Sequence, residues 1–574
     1  IDIEWLSFGA GTPWEIPAAT TSRPKPAGPK DITRIVDSIR AAAATAGLPL
    51  PRKPWLPDLA PSYDLDELLP LSLKASREEA MTALVLGVMD DPANQAQHPV
   101  FWRPDEDGNL AIYGASGSGK SAALRTLAIA ACIIAKTARI DVYGFDCGAS
   151  GLAMLEPLPP VGAIIDGSDQ ERVGRLLRRL AQTLDERAAT FAAARAGSLP
   201  DYRRITGDAA LPRIVLLIDG FAAFRELYEN SSELAFLFSL LARLLAEGRS
   251  VGIHVALTAE RPNAVSTSLS ASIQRRLILR QADENSYTLL NIPKDILGSQ
   301  SPAGRAVFAE ESNEIQVSVF NASPDTERQA ASIDKLAKSM VQVGVPPAPG
   351  VERLPTFIPA AGVPATVGGL PTLGVAEDTL APVGFRADGT FMVAGLPGSG
   401  RTTALRWLVQ SLHRWDPRVP KYFVGPARSI LHAAGLWADT ATSEADVAAL
   451  SEDILPLLER PAGDHPGAVL VIESLPEFLG SSAENALVAL IRAARRSGHF
   501  VIGESETAGW GSAWPLIAEI RNGRRGIVVQ PDQADGDGLF RVGFPRVKRA
   551  DFPLGRGIVV DAGKYRTVQL PMPD

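Results

Sequence analysis

Two rhythms alternate along this 574-residue chain. Unbroken apolar runs are followed by stretches whose apolar residues recur every three or four positions. Ile214 to Ile218 holds no polar residue, the mark of a strand buried on both faces of a parallel sheet. Val251 to Leu257 reads the same way, and Asp141 to Asp146 is a further strand. Val173, Leu176, Leu177, Leu180 and Leu184 share one helical face. Asp31 to Ala46 predicts a short separate helix. Strands alternating with helices predict an α/β fold with three-layer domains and mainly parallel sheets.

The pattern occurs twice in the same order. Leu86-Gly87-Val88-Met89-Asp90-Asp91 answers Leu373-Gly374-Val375-Ala376-Glu377-Asp378. Glycine loops begin at Gly114 and Gly395. Ile214 to Asp219 answers Ala468 to Glu473, Arg275-Arg276 answers Arg524-Arg525, and Ala303-Gly304-Arg305 answers Leu554-Gly555-Arg556. The surplus of the first copy falls near 188–212. Proline-rich approaches precede each copy (Pro51 to Pro57, Leu354 to Pro359), read as extended connectors. Pro346 to Pro349 marks the main boundary. The expected organisation is a tail or trailing part of a preceding domain over 1–50, one module over 51–345 and a second over 346–574.

Composition adds limits. Net charge is −8 and the apolar fraction 46%, with Cys132 and Cys147 the two cysteines. That is ordinary globular composition, too poor in cysteine for a disulfide framework or a cysteine-based metal cluster. An acidic whole argues against a nucleic-acid coat. No apolar run reaches the ~20 residues of a membrane span. The chain opens on Ile1 without a signal-peptide pattern, which suggests a fragment of a longer protein.

The chemistry concentrates in Gly114-Ala115-Ser116-Gly117-Ser118-Gly119-Lys120-Ser121. It follows an apolar run and opens a helix-prone segment, the context a phosphate-binding P-loop requires. Backbone N–H groups and the helix start would cradle phosphates. Lys120 would reach the terminal phosphates. Ser121 and Asp219, at the end of a buried strand, would hold Mg²⁺. Gly220 stands where many such ATPases carry a water-orienting glutamate, so ATP would be held better than split. The second copy, Gly395-Leu396-Pro397-Gly398-Ser399-Gly400-Arg401-Thr402-Thr403, has arginine in place of lysine. Glu473 replaces the aspartate and Ser474 the next residue. Thr402 and Glu473 form a weaker metal pair, and hydrolysis there is not expected.

Gly252-Ile253-His254 through Glu260-Arg261-Pro262 resembles the sensor segment of FtsK/SpoIIIE-type motors, with Glu260 where that family has glutamine. Arg276 to Arg280 and Pro302 to Ala306 resemble that fold's closing strands. Asp90 to Gln95, Phe145 to Leu152 and the lead-in Trp55-Leu56-Pro57 are similar to the second ATPase module of the EccC/EssC family of type VII (ESX) secretion. The resemblance covers roughly residues 50–574. It implies tandem RecA/FtsK-like P-loop domains using ATP and Mg²⁺, the second one degenerate. It implies a segment of a membrane-anchored protein on the cytoplasmic side of the inner membrane. An upstream ATPase module and other secretion-complex membrane components would be partners. Secreted WxG-type helical proteins would present a C-terminal signal to the last module. The competing readings are an FtsK-like DNA translocase, betrayed by a steep salt dependence of DNA affinity, and a non-enzymatic nucleotide-stabilised scaffold.

Further candidates are weaker. Arg275, Arg276, Arg524 and Arg525 are arginine-finger or sensor candidates, with Arg280 beside them. Glu260-Arg261 and Glu504/Glu506 could read the γ-phosphate. His254, in an apolar strand, reads as a core histidine. Trp510, Trp514 and Phe552 could line a peptide groove or fill the core.

Overall fold

The computed structural model describes residues 30–48, 56–72, 83–135, 138–148, 150–231, 234–293, 296–309, 311–463, 467–545, 547 and 549–574. Most of the 1–50 tail, Pro51 to Trp55 of the first approach and Ala149 lie outside them. Two compact units are present, Ile1–Pro57 and Asp58–Asp574. In the first, the expected helix runs over Asp31–Thr45 and ends on the left-handed Gly47.

The second unit contains two sheets. The first has strands β1 (Leu84–Asp91), β2 (Ala96–Trp102), β3 (Leu110–Tyr113), β4 (Ile140–Asp146), β5 (Val161–Asp166), β6 (Arg213–Asp219), β7 (Ile253–Ala259), β8 (Arg275–Leu279), β9 (Arg305–Phe308) and β10 (Ile315–Val317). Their spatial order is β2-β1-β10-β9-β8-β3-β7-β6-β4-β5. From β8 to β5 neighbours are parallel, and from β8 to β2 antiparallel. The helices Lys120–Ile134 and Thr326–Gln342 cover one face, and Gln170–Ala194 and Ala235–Glu247 the other. The predicted face Val173, Leu176, Leu177, Leu180, Leu184 is buried in that second layer.

The second sheet repeats the plan with β11 (Thr366–Val367), β12 (Leu370–Ala376), β13 (Pro382–Gly384), β14 (Gly389–Gly395), β15 (Lys421–Val424), β16 (Asp439–Ala441), β17 (Val469–Ile472), β18 (Phe500–Glu506), β19 (Gly526–Val529), β20 (Arg556–Asp561) and β21 (Lys564–Gln569). Its order is β11-β12-β21-β20-β19-β14-β18-β17-β15-β16, with β13 against β12. The surplus of the first copy is a longer helix, 25 residues in Gln170–Ala194 against 15 in Glu444–Leu458, followed by the helix Leu199–Thr206.

Register corrects one expected pairing. β3 sets Ile112 against Leu277, and β14 sets Val393 against Ile527. Since Ile112 and Val393 occupy the same place before their glycine loops, Arg275 corresponds to Arg525 and Arg276 to Gly526. The paired arginines of the sequence are therefore one residue out of step.

The proline-rich connector between the copies is docked. Ala348 N donates to Pro159 O (2.8 Å) and Tyr143 Oη to Pro349 O (3.0 Å). Arg172 and Arg179 reach the carbonyls of Val351 and Gly350, and Leu354 N donates to Glu171 Oε1. Buried Arg175 bonds Glu352 O and Glu377 O, joining the two modules. Connector polar groups thus find partners in the first module, as buried backbone must.

Candidate nucleotide sites

The first glycine loop hangs between the strands flanking β3. Gly114 N donates to Ala259 O (3.2 Å) and Ala115 N to Arg280 O (2.8 Å). Gly117 and Gly119 adopt left-handed φ of +70° and +108°. A Cβ on Gly119 would lie 2.8 Å from Gly304 N, which itself donates to Ser118 O (2.8 Å). Glycine is required there by both torsion and space. The loop ends on the helix Lys120–Ile134, whose first N–H groups point back into it.

Lys120 Nζ donates to the carbonyls of Gly114 (2.8 Å) and Ala115 (2.9 Å). Burial lowers its pKa, while the charges of Glu260 and Asp219 oppose that shift. Ser121 Oγ donates to Asp219 Oδ2 (2.6 Å), and Thr258 Oγ1 donates to Oδ1 (2.6 Å). Gly220 N in turn donates to Thr258 Oγ1 (2.8 Å). Thr258 is the residue that sequence reasoning missed; its signal was a hydroxyl at the end of a buried apolar strand, as Asp219 is a carboxylate at the end of one.

Gly151 closes over this pair, since a Cβ there would lie 3.2 Å from Asp219 Oδ2. Buried Arg125 holds Gly151 O at 3.0 Å. Ser118 Oγ is buried and finds no hydrogen-bond partner among the described residues. An orphaned hydroxyl, a lysine resting on carbonyls and a Ser–Asp pair at a helix start fit a nucleoside triphosphate with Mg²⁺. Lys120 and the loop N–H groups would hold phosphate, and Ser121 and Asp219 the metal. Bound Mg²⁺–ATP supplies the phosphoryl group and its charge neutralisation.

Gly220 has φ +81°, and its Cβ would sit 3.2 Å from the carbonyl carbon and oxygen of Cys147. The counterpart Ser474 takes the same left-handed backbone at φ +56°.

The second loop keeps the left-handed Gly398 and Gly400 and the helix start, here Arg401–Trp415. Its lysine end differs. Arg401 Nε lies 3.0 Å from Glu504 Oε1, its Nη2 lies 3.6 Å from Glu506 Oε1, and Nη1 donates to Gly395 O (3.2 Å). Glu504 Oε2 accepts from Ser474 N (3.0 Å). Glu504 therefore occupies the place of Thr258, and both accept from the N–H after the metal-side acid. Burial raises the pKa of Glu504 and of Glu473; the Ser429 and Thr402 hydroxyls oppose it at Glu473. Thr402 and Glu473 hold the positions of Ser121 and Asp219, without a counterpart of the 2.6 Å Ser121–Asp219 hydrogen bond among the described residues. Ser399 Oγ and Glu473 Oε2 find no hydrogen-bond partner among the described residues. Thr403 follows in the first helical turn, half-buried.

The arginine candidates separate. Arg275 and Arg525 lie at the ends of β8 and β19 away from the glycine loops. Arg275 pairs with Glu311 (2.7 Å) and stacks 3.6 Å over Phe308. Arg525, buried, bonds Asp388 and Arg386 O between Phe391 and Phe500. Arg525 Nη1 and Nη2 are thus occupied within the module, while its buried Nε finds no hydrogen-bond partner among the described residues. Arg276 is half-buried and Arg524 exposed at φ +46°. Arg280 donates to Ser299 O and Ser301 O, both at 3.2 Å. His254 is fully buried with Nε2 3.0 Å from Asp105 Oδ1, in a cluster with Arg213. Trp510 and Phe552 belong to the core of the second module, whereas Trp514 is 46% exposed. No described helix is long and apolar enough to cross a membrane.

The sequence model of the FtsK/SpoIIIE family matches residues 66–295. The chain is 27% identical over 563 residues to the ESX secretion system protein EccC of Thermomonospora curvata, covering 89% of this chain and 41% of that protein. It is 34% identical over 239 residues to the ESX-4 secretion system protein EccC4 of Mycobacterium tuberculosis, covering 41% of this chain and 19% of that one. The solved cytoplasmic domain of the Thermomonospora curvata type VII secretion ATPase EccC superposes with a TM-score of 0.73 at 25% identity, over 92% of this chain and 65% of that one. Its ATPases 2 and 3, solved with a signal sequence peptide, give a TM-score of 0.72 at 24% identity, over 91% and 100% of the two chains. This chain thus spans well under half the length of those two curated relatives.

Proposed function

Because residues 66–295 match the FtsK/SpoIIIE family model and the chain is similar over most of its length to an EccC secretion protein, we propose that it is an ATP-binding segment of a secretion-coupling ATPase. Its place would be the cytoplasmic side of a membrane complex, beside an upstream ATPase module. The observation that carries this reading is the first site: Lys120 on two carbonyls beside the Ser121–Asp219–Thr258 chain of hydrogen bonds. Lys120 and the loop donors bind and orient phosphate, and Ser121 and Asp219 position the metal. Gly220 offers no carboxylate to orient an attacking water, so the site clasps ATP and turns it over slowly. Titration of the full chain with ATP–Mg²⁺ should give saturable binding that Lys120→Ala removes. Absence of binding to the wild type overturns the reading.

The export cargo is the second half of the proposal. The first module receives an extended proline-rich segment along β4, where Tyr143 bonds Pro349 O. Strand register places Tyr422 of β15 in Tyr143's position. We assign the corresponding surface at Tyr422 of the second module to a C-terminal export signal of a small helical WxG-type protein. The signal peptide bound to ATPases 2 and 3 of the Thermomonospora protein supports this reading. A fluorescent signal peptide should bind the full chain and lose affinity with Tyr422→Ala while keeping it with Tyr143→Ala. The reverse pattern contradicts it.

A further inference from the structure

The two glycine loops share a backbone, yet their lysine ends are built on different chemistry. In the first, the charge of Lys120 rests on two main-chain carbonyls. A carbonyl is a neutral acceptor and releases an ammonium readily to a phosphate. The strand beside it contributes Thr258, a neutral hydroxyl. In the second, two positions have changed together. Lysine has become Arg401, and the threonine position has become Glu504, facing it at 3.0 Å. Glu506 adds a second carboxylate at 3.6 Å from the same guanidinium.

Three observations make this pair a substitute for ligand. First, it is enclosed: the Arg401 side chain is 18% exposed and that of Glu504 6%. Arg401 cannot turn to a phosphate without leaving a buried carboxylate alone, which is a strongly unfavourable state. Second, Glu504 is committed on its other oxygen to Ser474 N, so it cannot swing aside with the arginine. Third, the charge balance is less favourable to an anion than in the first site. Glu504 puts a carboxylate where Thr258 is neutral, beside Glu506 on the same guanidinium, and a triphosphate would enter against that added charge. The metal end by contrast keeps a hydroxyl residue, Thr402, in the first helical turn and an acid, Glu473, just past β17. The site is closed at the phosphate end alone.

We propose that the second P-loop is filled by its own side chains: the Arg401–Glu504 ion pair stands in place of the triphosphate, and the module keeps its loop in order without nucleotide. Residues Gly395, Gly398, Ser399, Gly400 and Thr403 then serve as a structural loop. The inference goes beyond the ATP-binding role of the first site and stands independently of it.

The test uses the full chain with the first site removed by Lys120→Ala. Calorimetric titration with ATP–Mg²⁺ should show no saturable binding. Saturable binding that Arg401→Ala then abolishes overturns the proposal. In the same background, Arg401→Lys with Glu504→Thr should bind ATP–Mg²⁺ at least about tenfold more tightly than its parent. A folded double variant that gains nothing also overturns it. Circular dichroism establishes folding, and the Lys120→Ala titration alone decides the matter if the double variant does not fold. A wild-type chain that binds no nucleotide would refute the first-site reading and leave this one intact.

Discussion

Gly220→Glu places a side chain where the structure makes one costly, and where function would benefit from a carboxylate. Gly220 lies at φ +81°, a backbone that costs an L-residue about 1–2 kcal/mol. Its Cβ would meet the main chain of Cys147 at 3.2 Å, tighter than ordinary van der Waals contact, so Cys147 must give way. Together these amount to about 2–3 kcal/mol. For a module of this size that is roughly a 4–12 °C fall in Tm. Asparagine tolerates the left-handed region better than other branched or bulky residues, so Gly220→Asn should fall less. Thermal denaturation of the three chains without nucleotide measures this. A glutamate variant as stable as wild type, or an asparagine variant that falls further than glutamate, refutes the reasoning. Below the transition, ATP turnover of Gly220→Glu should exceed that of wild type by at least about tenfold, the low end of acid–base assistance. Unchanged turnover means that water positioning is not what limits the site.

Four other outcomes follow from the same geometry. Thr258→Val keeps the shape but strands Gly220 N and removes a donor from Asp219, and urea denaturation should show a loss of about 2–4 kcal/mol. Arg213→Met removes the buried guanidinium from Asp105, leaving His254 beside it, and should cost about 3–5 kcal/mol in the same assay. Bonds from His254 and Arg213 overrule burial and hold the Asp105 pKa below the carboxylate range, so its contribution is present above about pH 4 and lost as pH falls. Burial lowers the pKa of His254, so the unfolded chain takes up its proton first and stability also declines as pH drops below about 6.5; Asp105→Asn should flatten the more acidic part of that curve.

Much of this fold is written in local pattern. The apolar run Ile214 to Ile218 became β6 because it is buried on both sides, and the face Val173 to Leu184 became the covering helix. The first site was equally legible, because loop, lysine, serine and aspartate carry their chemistry at fixed offsets. What sequence could not show depends on pairing across the sheet. Glu504 lies 103 residues beyond Arg401 in the chain and meets it only because β18 runs beside β14. The one-residue offset between the pairs Arg275-Arg276 and Arg524-Arg525 likewise emerges from strand register, not from the string Arg-Arg. Pro346 to Pro349 reads as a module boundary by composition, yet the chain there is docked, with Pro349 O taken by Tyr143 and Gly350 O by Arg179. Val251, placed in a strand by its apolar run, instead ends a short 3₁₀ turn, because Gly252 takes φ +75° just before β7.

The central claim is that one chain clasps one nucleotide at the Lys120 site. Titration calorimetry of the purified full chain with ATP–Mg²⁺ should give a stoichiometry of about one per chain, lost with Lys120→Ala and retained with Arg401→Ala. Absence of binding, or binding that survives Lys120→Ala, contradicts the account.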